Sequence, residues 1–140
     1  MKPPPYELCY CHAAKGSARL LSRIYDRHLS SVGINIQQLT ILSMILHNPG
    51  MLMANLADQM IMERTTLVRA LKPLQEAGFI ASELAGTGRT LSFGITRTGK
   101  EKVLAARPHW QAAQHEIETK VGVKQAEALR DAMHNAASSA

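Results

Sequence analysis

Met53–Thr96 reads MANLADQMIMERTTLVRALKPLQEAGFIASELAGTGRTLSFGIT, and the fold turns on this stretch. Within Ala54–Met60, Leu56, Ala57 and Met60 recur at helical spacing, and Ile61-Met62 makes a turn. A second helical pattern runs from Arg64 to about Ala77. Glu63 stands at or beside its N-cap, where a carboxylate favours the positive end of the helix dipole. Leu67, Leu71 and Leu74, at i, i+4 and i+7, form a stripe for burial. Thr65, Val68, Arg69 and Lys72 fall on the opposite face, with Arg64 at the start, and Gly78 ends the helix. Phe79–Ala85 and Thr90–Thr96 then read as strands bridged by Gly86-Thr87-Gly88-Arg89. Two close helices continuing into a β-hairpin describe a winged helix-turn-helix, a shape that lays one helix in a DNA groove. Pro73 is expected to bend the second helix or divide it, because it lacks the N–H for one rung.

Upstream, Lys2-Pro3-Pro4-Pro5 predicts an extended arm. From Tyr6 to about Ser31 the pattern is helical, with Leu8, Cys11, Leu20, Leu21, Ile24 and Leu29 apolar and Arg19, Arg23 and Arg27 as a polar stripe. Gly33 supplies a left-handed end. Asn35 is the expected N-cap of a helix from Ile36 to about His47 that is apolar around most of its circumference and so central. Asn48-Pro49-Gly50 stops it, and Met51-Leu52-Met53 reads as an extended link. Downstream, Thr96-Arg97-Thr98-Gly99-Lys100 opens a helix to about Lys120, kinked at Pro108, with Trp110, Ala113, Ile117 and Val121 on its apolar face. A last helix after Gly122-Val123 carries Ala126, Leu129 and Met133.

The expected fold is therefore mostly α with a small β-hairpin wing (α+β). A single domain covers 1–140, with a DNA-binding part at about 36–96 and dimerisation helices at about 6–34 and 97–137. The apolar faces of the terminal helices need a partner, and a second copy is the economical one, so a homodimer is expected.

Bulk properties agree. A length of 140 residues fits one domain, and 46% hydrophobic content allows a core. The net charge of +5 suits a polyanionic partner. The excess is uneven: Lys and Arg outnumber acids seven to four from Glu63 to Lys102 and five to two from Met1 to Ile36, whereas the chain is neutral from Val103 onward. No apolar run approaches the roughly 20 residues of a membrane span, and MKPPPYEL lacks a signal-peptide core, so a cytoplasmic location is expected. Cys9 and Cys11 are too close to staple a fold. Cys9, Cys11 and His12, at i, i+2 and i+3, do not converge on a tetrahedral site, so neither metal nor cofactor is expected. Cys11 and His12 point about 100° apart on a helix and form no nucleophile–base pair. With neither a Gly-rich phosphate loop nor paired carboxylates, an enzyme is not expected.

The segments LADQMIMERTTLVRALKPLQEAGFIASE and GRTLSFGITRTGKE resemble the MarR family of dimeric winged-helix transcription regulators, and the likeness runs from about Leu8 to Ala137. The resemblance implies a repressor on a pseudo-palindromic double-stranded operator. It places Arg64, Thr65, Thr66 and Arg69 on the helix entering the major groove and Arg89 at a wing tip in the minor groove. Their chemistry agrees, since Arg reads guanine bidentately and Thr bonds bases or contacts a thymine methyl. Lys72, further along, is better placed for phosphate, which positions without specifying. One departure is the wing tip, Gly86-Thr87-Gly88-Arg89, which lacks the acid that usually braces the family's arginine.

The family also implies a signal. In its hydroperoxide-sensing branch a cysteine near the start of the first helix is oxidised and DNA is released. Leu8-Cys9-Tyr10 points to Cys9, and counting back from Tyr25-Asp26-Arg27-His28-Leu29 points to Cys11. Lys15 and Arg19, one and two turns beyond Cys11, favour its thiolate. The competing reading makes these cysteines buried small hydrophobes. The family's other mode, a small aromatic or phenolic effector between dimer helices and winged helix, makes His12, Arg19, Arg23 and His47 candidate ligand residues. The alternative function is a thiol- or metal-dependent sensor or interaction protein that keeps the fold without specific DNA binding.

Overall fold

The computed structural model describes residues 1–86 and 90–138. A short 3₁₀ turn at Tyr6–Leu8 precedes α1 (Tyr10–Leu29), and a second at Ser30–Val32 ends in Gly33 at φ 83°. Then come α2 (Ile36–His47), β1 (Met51–Leu52), α3 (Met53–Met60), α4 (Arg64–Glu76), β2 (Ile80–Ala85), β3 (Thr90–Ile95), α5 (Arg97–Val121) and α6 (Val123–Ser138). Helix predominates, with one small antiparallel sheet in the order β1-β3-β2.

Local chemistry accounts for the boundaries. Asn35 Oδ1 accepts the Gln38 N–H at 2.8 Å, and the Gln38 side chain accepts the Asn35 N–H at 3.0 Å. This reciprocal cap starts α2 where Asn35 is expected to start it. The extended link at Met51 is instead a strand: Met51 and Leu52 pair with Phe93 and Ser92, which makes the wing three-stranded rather than a simple hairpin. Neither internal proline divides its helix, so of the two outcomes expected at Pro73 the division does not occur. Pro73 lies three residues before the end of α4, where the missing N–H removes a single rung, and α5 runs through Pro108 unbroken.

The chain comprises two compact units. One is Leu29–Arg107; the other joins Met1–His28 to Pro108–Ala140. The first holds almost the whole apolar core. Leu39, Ile41, Leu42 and Ile45 of α2 are buried in it, with Leu56 of α3, the Leu stripe of α4, and Phe93 of β3. Burying side chains of this size contributes about 1.5–3 kcal/mol each. In the second unit only Ala113 is buried among the described residues, while Tyr10, Leu20, Val123, Leu129 and Met133 are exposed.

That second unit is held instead by a polar cluster. Glu116 of α5 takes both hydrogen bonds of Arg27 Nη2, at 2.7 and 2.6 Å, one from His28 Nε2 at 3.1 Å and one from Lys120 Nζ at 3.2 Å. The Tyr25 hydroxyl donates to Gln114 Oε1. The Arg27 guanidinium first, then His28 and Lys120, hold the Glu116 carboxyl down at about 2, against an ordinary 4.5. A depressed folded-state pKa contributes stability in full above 4.5 and loses it as pH falls toward 2. The stability gap between wild type and Glu116→Gln is thus expected to be widest near about pH 6 and to close at about pH 2. Urea midpoints of both proteins across that range measure it, and a gap independent of pH would remove Glu116 as its source.

Candidate nucleic-acid interface

The two faces of α4 are sharply different. Leu67, Leu71 and Leu74 are at most 2% exposed and seat the helix on the core. Arg64, Thr65, Thr66, Arg69 and Lys72 are all exposed. At 100° per residue, Thr65, Arg69 and Lys72 point away from the leucine stripe, while Arg64 and Thr66 occupy its flanks. Thirteen residues make a rod about 20 Å long, which fits a major groove about 12 Å wide. Lys72 Nζ lies 3.9 Å from Glu76 Oε1, an exposed i,i+4 pair that holds the ammonium only weakly.

Two devices fix where this helix sits. At its start, Ile61 adopts the left-handed conformation at φ 53°, and the Met62 N–H reaches back to the Ala57 carbonyl at 3.0 Å. This ends α3 and turns the chain within two residues. A β-branched side chain in that region costs about 1–2 kcal/mol. The core contacts of Leu56 and Leu67 on either side hold the turn in place. At its end, the Thr96 hydroxyl donates to the Gly78 carbonyl at 2.6 Å and accepts the Gly99 N–H at 3.0 Å, while the Thr96 N–H bonds the Phe79 carbonyl at 3.0 Å. One threonine therefore caps α5 and ties it to the loop that closes α4. The start of this helix at Thr96 was legible in the sequence, but the grip of Thr96 on Gly78 joins positions 18 apart and was not. Nearby, Lys102 Nζ donates to the Val32 carbonyl at 2.7 Å and lies 5.6 Å from the centre of the Phe79 ring.

The other candidate residues are dispersed. Arg89 lies outside the described residues, with most of the wing tip. Cys9 and Cys11 are both exposed in the single chain. Cys9 immediately precedes α1, and its sulfur accepts the His12 N–H at 3.4 Å. The His12 ring meets Tyr6 edge-on, 5.7 Å between centroids. Arg19 and Arg23 are exposed one turn apart on α1. His47 Nδ1 lies 2.7 Å from the Ser43 carbonyl of its own helix. Among the described residues no group of three or more His, Cys, Asp or Glu side chains could hold a metal ion. Among them, too, no single helix is long and apolar enough to cross a membrane.

A short helix, a tight turn, an exposed basic helix and a three-stranded wing define a winged helix-turn-helix. Residues 34–83 match the model of the MarR family. The M. tuberculosis transcriptional regulator MosR in complex with DNA is 27% identical, with a TM-score of 0.84 over 94% of this chain and 95% of that one. CouR from Rhodococcus jostii RHA1, bound to p-coumaroyl-CoA, shares the fold at 15% identity, with a TM-score of 0.81 over 96% of each chain. NadR in complex with 4-hydroxyphenylacetate shares it at 19% identity, with a TM-score of 0.77 over 98% of each. No curated protein sequence matches the chain. In residues 34–83 and in its fold the chain is similar to the MarR family of winged-helix transcriptional regulators.

Proposed function

We propose that the protein is a cytoplasmic homodimer that binds a pseudo-palindromic DNA site sequence-specifically and represses transcription. The observation that carries this reading is the exposed Arg/Thr/Lys face of α4, set opposite a fully buried leucine stripe. Arg64, Thr65, Thr66 and Arg69 read base edges, Lys72 and the first turn's amides hold phosphate, and Arg89 enters the minor groove. The solved structure of MosR, bound to DNA, has the same fold.

Dimerisation rests on the second unit. Its helices keep Trp110, Val121, Val123, Leu129 and Met133 exposed with almost nothing buried among them, and a second copy covers such faces with matching ones. A two-fold dimer presents its recognition helices about one helical turn apart.

Two signals fit the chain. The exposure of both cysteines favours oxidation at Cys9 or Cys11, and oxidation of Cys9 would alter the sulfur that bonds the first turn of α1. A small aromatic effector is the other, with His12, Arg19, Arg23 and His47 as its contacts, since CouR and NadR hold p-coumaroyl-CoA and 4-hydroxyphenylacetate.

The test is a titration of a labelled duplex from the gene's own upstream region at about 50 and 200 mM salt, with and without cumene hydroperoxide. Affinity is expected to fall by about a thousandfold between the two salts. Oxidant is expected to release the wild type but not a Cys9→Ser/Cys11→Ser variant. Binding indifferent to salt would support an interaction protein that keeps the fold without DNA. Identical curves with and without oxidant would leave the cysteines structural.

A further inference from the structure

The exposed surface of α4 carries one large aliphatic side chain. Val68 is 48% exposed, and no other large apolar side chain of α4 is exposed. It sits one turn after Arg64, one turn before Lys72 and next to Arg69, so cations surround it on the surface. It takes no part in the leucine stripe, whose members are almost completely buried. Half of a valine held in water among charged groups gains nothing for the fold, and an alanine or a polar residue would serve solubility better.

In the major groove, one base-edge group calls for an apolar partner: the C5-methyl of thymine, which sets T apart from C. We propose that Val68 reads this methyl, making it a specificity-determining residue beside the arginines and threonines of the same helix. The inference rests on α4 entering the major groove, as proposed above. Arg64 and Lys72, at i−4 and i+4, bring the helix against base edge and backbone on either side. Val68 then packs its γ-methyls on a thymine C5-methyl at one position in each half-site. Removing that methyl exposes both partners and costs about fourfold in affinity, the value of one methyl-sized group returned to water.

The experiment begins by selecting duplexes from a random pool with the wild-type protein. Each thymine of the selected half-site is then replaced in turn by deoxyuridine, which pairs identically but lacks the methyl. The wild type is expected to lose about fourfold at one symmetry-related thymine pair. Val68→Ala should bind the thymine and uracil duplexes equally there, and Val68→Thr, which keeps one γ-methyl, should retain part of the preference. Because Val68 is exposed, both variants are expected to fold. A wild type that selects a sequence yet tolerates uracil everywhere, or a thymine preference that survives in Val68→Ala, overturns the assignment of Val68 alone. A wild type that selects no sequence overturns the proposed function, and this inference with it.

Discussion

Gly99→Ala is expected to destabilise the protein by about 3 kcal/mol. A Cβ at this position would lie 2.1 Å from the Phe79 carbonyl oxygen, 2.7 Å from Ile95 Cγ1 and 3.0 Å from the Phe79 carbonyl carbon. The oxygen has little room to retreat, because it accepts the Thr96 N–H at 3.0 Å and lies 3.1 Å from the Thr96 hydroxyl. Helix propensity predicts the reverse sign, since alanine exceeds glycine by about 1 kcal/mol within a helix. The clash wins because the obstacle is hydrogen-bonded backbone rather than the end of a flexible side chain. Gly16→Ala supplies the control. Gly16 lies inside α1, and an added Cβ there would meet nothing within 4 Å, so propensity acts alone and a gain of about 0.5–1 kcal/mol is expected. Urea unfolding at one fixed protein concentration, with unchanged slope, measures both. If Gly99→Ala matches the wild type, the approach of α5 to Phe79 is looser than the geometry implies.

That contrast shows where sequence reading reaches and where it stops. Periodicity and caps located the helices because those signals are local: the leucines of α4, the apolar surround of α2 and the Asn35 cap all act within one or two turns. β1 was illegible because two residues have no period of their own. Only the pairing of Met51 with Phe93, contributed by a strand about forty residues on, makes it a strand. Gly78 marked the end of α4 in the sequence, and that nearby end is why Pro73 leaves the helix undivided: a helix tolerates a missing rung in its last turn.

The candidate interface divides the same way. Residue type and spacing put Arg64, Thr65, Arg69 and Lys72 on the exposed side of α4, since the exposed face of an amphipathic helix follows from its buried one, whereas Thr66 was named through the family resemblance. What positions that face was not legible. Thr96 grips Gly78, and Lys102 reaches the Val32 carbonyl across 70 positions. Such contacts depend on tertiary structure. The cysteines illustrate the limit: Cys11 falls among apolar residues in the sequence, yet the single chain leaves both Cys9 and Cys11 exposed.

Arg69→Ala and Lys72→Ala are expected to weaken DNA binding in different ways, and the difference tests the division of labour along α4. Both side chains are exposed, so neither substitution should move folding stability by more than about 0.5 kcal/mol. Losing the 3.9 Å pair between Lys72 and Glu76 changes little, because water screens it. Arg69 projects directly away from the leucine stripe, in the middle of the helix, where a guanidinium can meet a guanine through two hydrogen bonds. Its loss should cost about 1–3 kcal/mol on the selected site, roughly five- to 150-fold, and relax the preference at a single base pair. Lys72 lies a turn nearer the C-terminus and offers a flexible point charge. Its loss should weaken all duplexes alike and reduce the salt slope by about one. Titrations of both variants against the selected duplex and a scrambled one, at several salt concentrations, separate the two effects. If Arg69→Ala lowers both duplexes equally, Arg69 contacts backbone, and base reading falls to Arg64 and the threonines before it.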